Sequence, residues 1–383
     1  MRIWERDPRG LVTKATDGEG KTTQYEYDAN GNVATLTDPI GVMTQTTYDA
    51  EDRPVTTTEA SGTLDQRMKR VLSRDRMGNP LKVEDYNGNV TETRYNALYL
   101  PAKVTDPDSY STETTYYRTG KVKSVRNKRG FTTTHEYDAL NREIRVTDPR
   151  NQAIETAYDK TGHVRTVKDK RGIITENSYD DLYRLVEVKK AGLRLKTNEY
   201  DPVGNLTAVI DANGNRTEHS YNGRNLLITT RHPDNTTETR TYDGVGNLLT
   251  LTNEEGRVTT YTYDRENRQT SSEFAGEKTI KAYDAVGNLV SITKPKGNRR
   301  EMAYDGLKRL ISVTEDPGGL NLVTAYRYDG NGNQTDQYDV RGNHVEFVYD
   351  AMNRKTRHIQ HKGGGSLITL YTYDAEGNLK TIV

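Results

Sequence analysis

The side chains that could do chemistry here are histidines and carboxylates, because the chain contains no cysteine. Disulfides, thiolate zinc sites and cysteine nucleophiles are therefore excluded, and the absence fits either redox compartment. The seven histidines, His135, His163, His219, His232, His344, His358 and His361, are scattered. Only His358 and His361 are close, and residues three apart on a strand face opposite sides, so a shared metal would need a turn between them. Three loops, Asp28–Asn32, Asp211–Asn215 and Asp329–Asn333, begin like EF-hand calcium loops. The bidentate Glu of position twelve is instead Pro39, Asn222 and Val340, and the Gly of position six is missing. Their Asp, Asn and Gly read as turn formers. No G-x-S-x-G elbow, H-E-x-x-H helix or phosphate loop occurs. The expectation is a chain with no catalytic residue, no cofactor and no metal. Carboxylates abound, but an Asp that recurs behind Tyr in unit after unit serves structure, since a single active site is not built in every repeat.

The elements that hold these residues follow from the repetition. Tyr followed by Asp or Asn recurs at Tyr27, Tyr48, Tyr95, Tyr137, Tyr158, Tyr179, Tyr200, Tyr221, Tyr242, Tyr263, Tyr283, Tyr304, Tyr328, Tyr349 and Tyr373. Degenerate copies at Arg6-Asp7, Arg74-Asp75 and Tyr116-Tyr117 bring the slots to 18 over the whole chain, 1–383, read as one array. Of 17 intervals, 13 are 21 residues; the others are 26, 20, 24 and 24. Bulky residues alternate before each slot, as in Val345, Phe347 and Tyr349, which is strand periodicity. A turn of Asp, Asn and Gly follows, then a second strand rich in Thr and Val with an apolar residue nine places after the Tyr, such as Leu36, Val104 or Ile292. Each unit is one β-hairpin, and the chain is an antiparallel meander of roughly 36 strands.

A longer period is superimposed. The residue four places after each slot alternates between Gly (Gly31, Gly78, Gly120 and onward) and another type (Asp52, Tyr99, Asn141 and onward), so the true repeat is a pair of hairpins, about 42 residues. Every interval from a Gly unit to its partner is 21 residues and carries Gly seven places before the second Tyr: Gly41, Gly88, Gly130, Gly172, Gly214, Gly256, Gly297 and Gly342. Constant length with an obligatory Gly predicts a positive-φ turn. All length changes fall in the other class of connection, which predicts solvent-facing loops on one rim where nothing stacks.

Composition agrees with a thin structure. The apolar fraction is 32%, with 26 Tyr against 3 Phe and 1 Trp. A tyrosine on a half-wet sheet buries its ring while its hydroxyl meets water or a backbone group. The 55 basic and 55 acidic residues cancel, which argues against nucleic-acid or anionic-membrane partners. The basic turns Arg126–Arg129, Lys168–Arg171 and Lys294–Arg300 read as solvated rim. No transmembrane segment is visible, and the start, MRIWERDPRG, lacks the apolar run of a secretion signal.

The Tyr-Asp signature at 21-residue spacing, in YDANGNV, YDALNRE, YDPVGNL, YDAVGNL and YDAEGNL, resembles the YD-repeat or RHS family. The resemblance implies an all-β spiral that forms a hollow, single-layer shell, as in bacterial RHS toxins, insecticidal toxin complexes and teneurins. It implies a structural role: a wall segment enclosing a polypeptide toxin cargo, completed by further shell segments from the same protein or a neighbouring chain, and a secreted or cell-surface location. No delivery domain, toxin domain or self-cleaving aspartate pair is recognisable; Asp7, Asp38, Asp106 and Asp148, each before Pro, lie in ordinary repeat turns. The other function considered is a carbohydrate-binding or adhesion repeat that uses Tyr rows as stacking platforms for sugar rings. At about 4.8 Å per strand the ribbon would be on the order of 170 Å long, and one turn of all of it a tube about 55 Å across, too wide for its own side chains to fill. Unpaired first and last strands would favour association.

Overall fold

The computed structural model describes residues 3–383. It contains 36 strands, from β1 (Ile3–Arg6) to β36 (Leu379–Ile382), and no helix among those residues. No helix among them is therefore long and apolar enough to cross a membrane. Each strand pairs antiparallel with its sequence neighbours, so β3 (Thr22–Tyr27) lies between β2 (Val12–Thr16) and β4 (Val33–Thr37), and β4 lies beside β5 (Met43–Tyr48). The ribbon has two long edges. One carries the turn after each Tyr slot and is here called the Asp edge; the other carries the remaining connections and is the return edge.

The Asp edge explains why these residues recur. In the Asp28–Asn32 turn the Gly31 N–H donates to the Asp28 carbonyl (3.2 Å) and the Asp28 N–H to the Asn32 carbonyl (2.9 Å). This is a type I turn closed by a left-handed residue and a bulge, which appears as the register shift between Glu26 and Tyr27. The Asp28 carboxylate accepts the N–H groups of Asn30 (3.0 Å) and Asn32 (2.8 Å), which would otherwise lack partners.

The tyrosine joins one hairpin to the next. The β4–β5 ladder runs only from Thr35↔Gln45 to Thr37↔Met43, leaving the Val33 carbonyl beyond its end. The Tyr48 hydroxyl donates to that carbonyl at 2.9 Å. The same bond, 2.7–3.1 Å long, is made by 14 of the 15 repeat tyrosines and by Tyr116. Phenylalanine could fill the wedge but would orphan the carbonyl. Tyr137 is the exception; its hydroxyl lies 3.5 Å from Glu143 Oε1.

There is no thick core. Among the described residues only Ala60 and Ala208 are buried apolar side chains, and no large side chain is fully buried. Cross-strand pairs hold the sheet instead: Val125 faces Thr114, and Leu251 faces Arg240. The opposite face carries hydroxyl pairs such as Thr47–Thr56 (2.5 Å) and Thr241–Thr250 (2.6 Å).

The ribbon winds back onto itself. The connection after β2 meets the turn after β25 (Val258–Tyr263), where Gly18 N–H donates to Glu266 (2.6 Å) and Arg265 N–H to Glu19 (2.9 Å). The connection after β12 (Val122–Arg126) meets the turn after β35 (Gly365–Tyr373), where Arg129 N–H donates to Glu376 (2.8 Å). Both offsets are 23 strands, an odd number, as required for the return edge of one coil to meet the Asp edge of the next. At about 4.8 Å per strand this is a coil roughly 110 Å around and 35 Å across. The winding is therefore tighter than the single turn of about 55 Å expected from strand count alone. A bulge at nearly every slot bends and twists its strand, adding curvature that strand number does not contain.

Candidate functional site: the ribbon edges and the seam

The 42-residue period has a geometric cause on the Asp edge. Five places after the slot, Gly units mostly carry Asn and their partners mostly carry Arg. Asn205 donates to Asp201 in its own turn (2.8 Å) and to Asn225 in the next (3.0 Å). Arg184 reaches further: its Nε donates to Asp180 (2.7 Å), its other arm to the Asp201 carbonyl (2.6 Å), and its guanidinium lies 4.8 Å from the centre of the Tyr200 ring. Arg142, Arg268, Arg309 and Arg354 repeat this over Tyr158, Tyr283, Tyr328 and Tyr373. The Gly of the receiving turn leaves room for it: a Cβ on Gly78 would lie 2.7 Å from the Arg53 guanidinium, and one on Gly287 3.7 Å from that of Arg268. These Gly have φ of 82–104°, against 58–63° for the non-Gly residues in the alternate turns. Sequence reasoning saw the Gly alternation and missed the Asn and Arg that require it, although both are legible one position later.

The eight Gly of the return edge, Gly41, Gly88, Gly130, Gly172, Gly214, Gly256, Gly297 and Gly342, have φ of 75–86°. A Cβ on seven of them would meet nothing within 4 Å, and only Gly130 has a side chain, Arg126, nearby. Backbone conformation alone therefore selects Gly there. The variable class uses the same turn at Gly20, Ser109, Asn151 and Asn235, and two-residue turns at Ala191–Gly192, Ala275–Gly276 and Gly363–Gly364.

The seam corrects the expectation that variable-length connections are free of stacking. The longest interval places its loop, 60–66, against the later coil: Asp65 accepts the Gly306 N–H at 3.0 Å, and a Cβ on Gly306 would lie 3.4 Å from Val42 and 3.6 Å from Ala60. Beside it Arg67 binds Glu59 (2.6 Å), donates to the Gly330 carbonyl across the seam (2.9 Å) and stacks over Tyr86 at 4.2 Å. Burial, aided by the Glu59 carboxylate that its hydroxyl binds, pushes the Tyr86 phenol up to about 12. Further along, Asn331 donates to Asp85 (2.8 Å) and Arg354 to Asp108 (2.6 Å). Type I turns point spare N–H groups outward, so any edge that presents carboxylates or amides can dock there, whatever its loop length.

The polar clusters belong to this scaffold. On the return edge, Asp106 pairs with Lys128 and Asp148 with Lys170 (2.6 Å), each 22 residues apart on adjacent connections. His232 and Glu254 (3.0 Å) occupy the same rung with the acidic residue second. With Glu238 they form the one group of three metal-ligating side chains among the described residues. Arg240 already bonds Glu238 and also donates to Thr230 (3.1 Å), so a cation occupies that corner. His344 and His361 stack at 4.7 Å beside the return edge, Tyr338 stacks on His344, and His344 binds Asp336 (2.8 Å). His358 stacks on Phe347. His358 and His361 lie on one unbroken strand, β34 (Lys355–Lys362). The basic turns are paired too, since Arg129 binds Asp374 across the seam. The EF-hand-like Asp28 is engaged by its own turn.

The family model for the RHS repeat matches residues 6–39, 27–64, 116–153, 200–237, 242–277 and 283–321, more than half of the chain. The chain belongs to the RHS repeat family. Its fold is that of an RHS shell: the crystal structure of TcdB2-TccC3-Cdc42 aligns over 100% of this chain with a TM-score of 0.83 at 14% identity. TcdB2-TccC3-TEV and TcdB2-TccC3 without the hypervariable C-terminal region give TM-scores of 0.64 and 0.61, at 14% and 16% identity, over 100% and 99% of this chain. This RHS chain spans about a quarter of those chains, 25%, 25% and 24% respectively. No curated protein matches it.

Proposed function

We propose that this RHS chain is a non-catalytic segment of a shell wall, which encloses a polypeptide cargo of a secreted or cell-surface toxin protein. The observation that carries the reading is the seam. Opposite edges of one ribbon meet every 23 strands, so a single-layer sheet becomes a tube with a lumen. Nearly all recurring polar groups are committed to turns, rungs and seam, which leaves wall-building as the common task of the repeat. The repeat tyrosines are engaged in the same way: their hydroxyls bind backbone carbonyls and many of their rings lie under arginines, an arrangement that gives no support to sugar stacking. A toxin-shell role accords with the TcdB2-TccC3 structures whose fold the chain shares. The test is protease protection of an unstructured reporter joined after Val383. Slower cleavage than in the free reporter, and loss of the difference when Asp65→Lys and Glu266→Lys open the seam, support enclosure. Equal cleavage rates in the linked and free reporter would refute it.

A further inference from the structure

Asparagine precedes glycine at five places in the chain, Asn30, Asn87, Asn213, Asn222 and Asn331. Such an asparagine is labile, because glycine has no side chain to shield its backbone nitrogen from the amide carbon before it. Two of the five face each other across the seam, in the turns Asp85–Gly88 and Asp329–Gly332. Gly330 permits the approach: a Cβ there would lie 2.5 Å from the Tyr86 carbonyl oxygen and 2.7 Å from Asn87 Oδ1. The two side chains enter the contact differently. Asn87 Oδ1 accepts the Asn331 N–H at 3.1 Å, and Asn87 Nδ2 donates to the Asp329 carboxylate at 3.0 Å. Asn331 uses its side chain as a donor, to Asp85 (2.8 Å) and to Asn353 (2.9 Å). In both turns the glycine N–H is held by the first carbonyl at 3.1 Å, Gly88 by Asp85 and Gly332 by Asp329, so the opening that frees the attacking nitrogen is alike. What differs is the donor on Oδ1. Attack makes that oxygen an oxyanion, and a fixed N–H aimed at it lowers the barrier.

We propose that Asn87 is a self-modification site, and that its deamidation unfastens the seam at this rung. The Gly88 nitrogen bonds to Asn87 Cγ and gives its proton to solvent, while Nδ2 takes up a proton and leaves as ammonia, closing a succinimide ring. Water then opens the ring to aspartate or isoaspartate. Both products carry a carboxylate in place of the amide. As aspartate, it faces Asp329 over the 3.0 Å now spanned by a hydrogen bond, so attraction becomes like-charge repulsion. Isoaspartate also inserts a backbone carbon into the turn. Arg67, the cation on this rung, is already held by Glu59 (2.6 Å) and by the Gly330 carbonyl (2.9 Å). The reaction runs one way, so the closed coil acquires a slow, irreversible loosening at a fixed place, whatever it encloses.

The test begins with the intact chain aged in mildly alkaline buffer and mapped by peptide mass spectrometry. Ammonia loss at Asn87 should run at least about threefold faster than at Asn331. Asn87→Asp, which installs the product directly, should speed hydrogen exchange in residues 329–333 at least about tenfold. Asn213→Asp, an Asn-Gly step without a seam contact, should leave that segment unchanged. Asn87→Ser removes the amide without adding charge and should give a smaller rise than Asn87→Asp, which separates repulsion from damage to the hairpin itself. Equal or faster loss at Asn331 would overturn the choice of site. Unchanged exchange in Asn87→Asp, or an equal rise in Asn87→Ser, would overturn the unfastening by charge.

Discussion

Replacing Tyr242 by Phe isolates the bond that ties one hairpin to the next. The Tyr242 hydroxyl donates to the Leu227 carbonyl at 2.7 Å, and that carbonyl lies beyond the end of the ladder between β22 (Leu227–Arg231) and β23 (Thr237–Tyr242), which spans only Thr229↔Thr239 to Arg231↔Thr237. Phe keeps the ring and its packing but leaves the carbonyl without its donor. A part-buried bond of this kind is worth about 1 kcal/mol, equivalent to roughly fivefold in a local opening equilibrium. Tyr137→Phe is the internal control, because its hydroxyl has no backbone partner and sits 3.5 Å from Glu143. Hydrogen exchange followed by mass spectrometry should show about fivefold faster exchange in peptides spanning 227–242 for the first variant, and little change in 122–137 for the second. Equal effects at both sites, or none at either, would show that the hydroxyl does not hold hairpins together. The reasoning from the orphan carbonyl would then fail.

Other outcomes follow from the same geometry. Gly162→Ala, at φ of 102° and with the Arg142 guanidinium 3.9 Å from the added Cβ, should cost on the order of 1–2 kcal/mol in denaturant titration, whereas Asn141→Gly at φ of 60° should be nearly neutral. The Asp159 carboxyl is held at about 2, against an ordinary 3.8, first by the Thr161 hydroxyl and then, against an opposing desolvation, by the N–H groups of His163, Thr161 and Gly162. Because the folded value lies below the unfolded one, the contribution of this turn is complete above about pH 4 and is lost as pH falls toward 2. Acid titration read by exchange in peptide 158–164 should show that loss, and Asp159→Asn, which can still cap the turn, should abolish the transition. A cysteine pair at Glu19 and Arg265, joined by a short bis-maleimide, should run as a compact monomer on a denaturing gel; no intramolecular product would mean that the coils do not meet.

Most of the local structure was legible in the sequence, for a physical reason. The turn and the strand alternation act within a hairpin and the Tyr slot ties only adjacent hairpins, so their residues lie within about 21 positions. The seam was not legible, because Gly18 and Glu266 are 248 residues apart and meet only through accumulated curvature, which no short pattern encodes. For the same reason the loop at 60–66 was misread as free, when Asp65 in fact holds the Gly306 amide. The alternating Asn and Arg after the slots were a missed signal. Arg184 and Asn205 show that the 42-residue period is a physical interlock between adjacent turns rather than only an inherited duplication.

Electron cryo-microscopy of the purified chain tests the central claim, that this composition builds a wound one-layer wall. The account predicts a tube one sheet thick, about 23 strands per turn and roughly 35 Å across, with an open lumen and a seam where residues near Glu19 face those near Arg265. A two-layer sandwich, or a flat ribbon whose edges never meet, would contradict it.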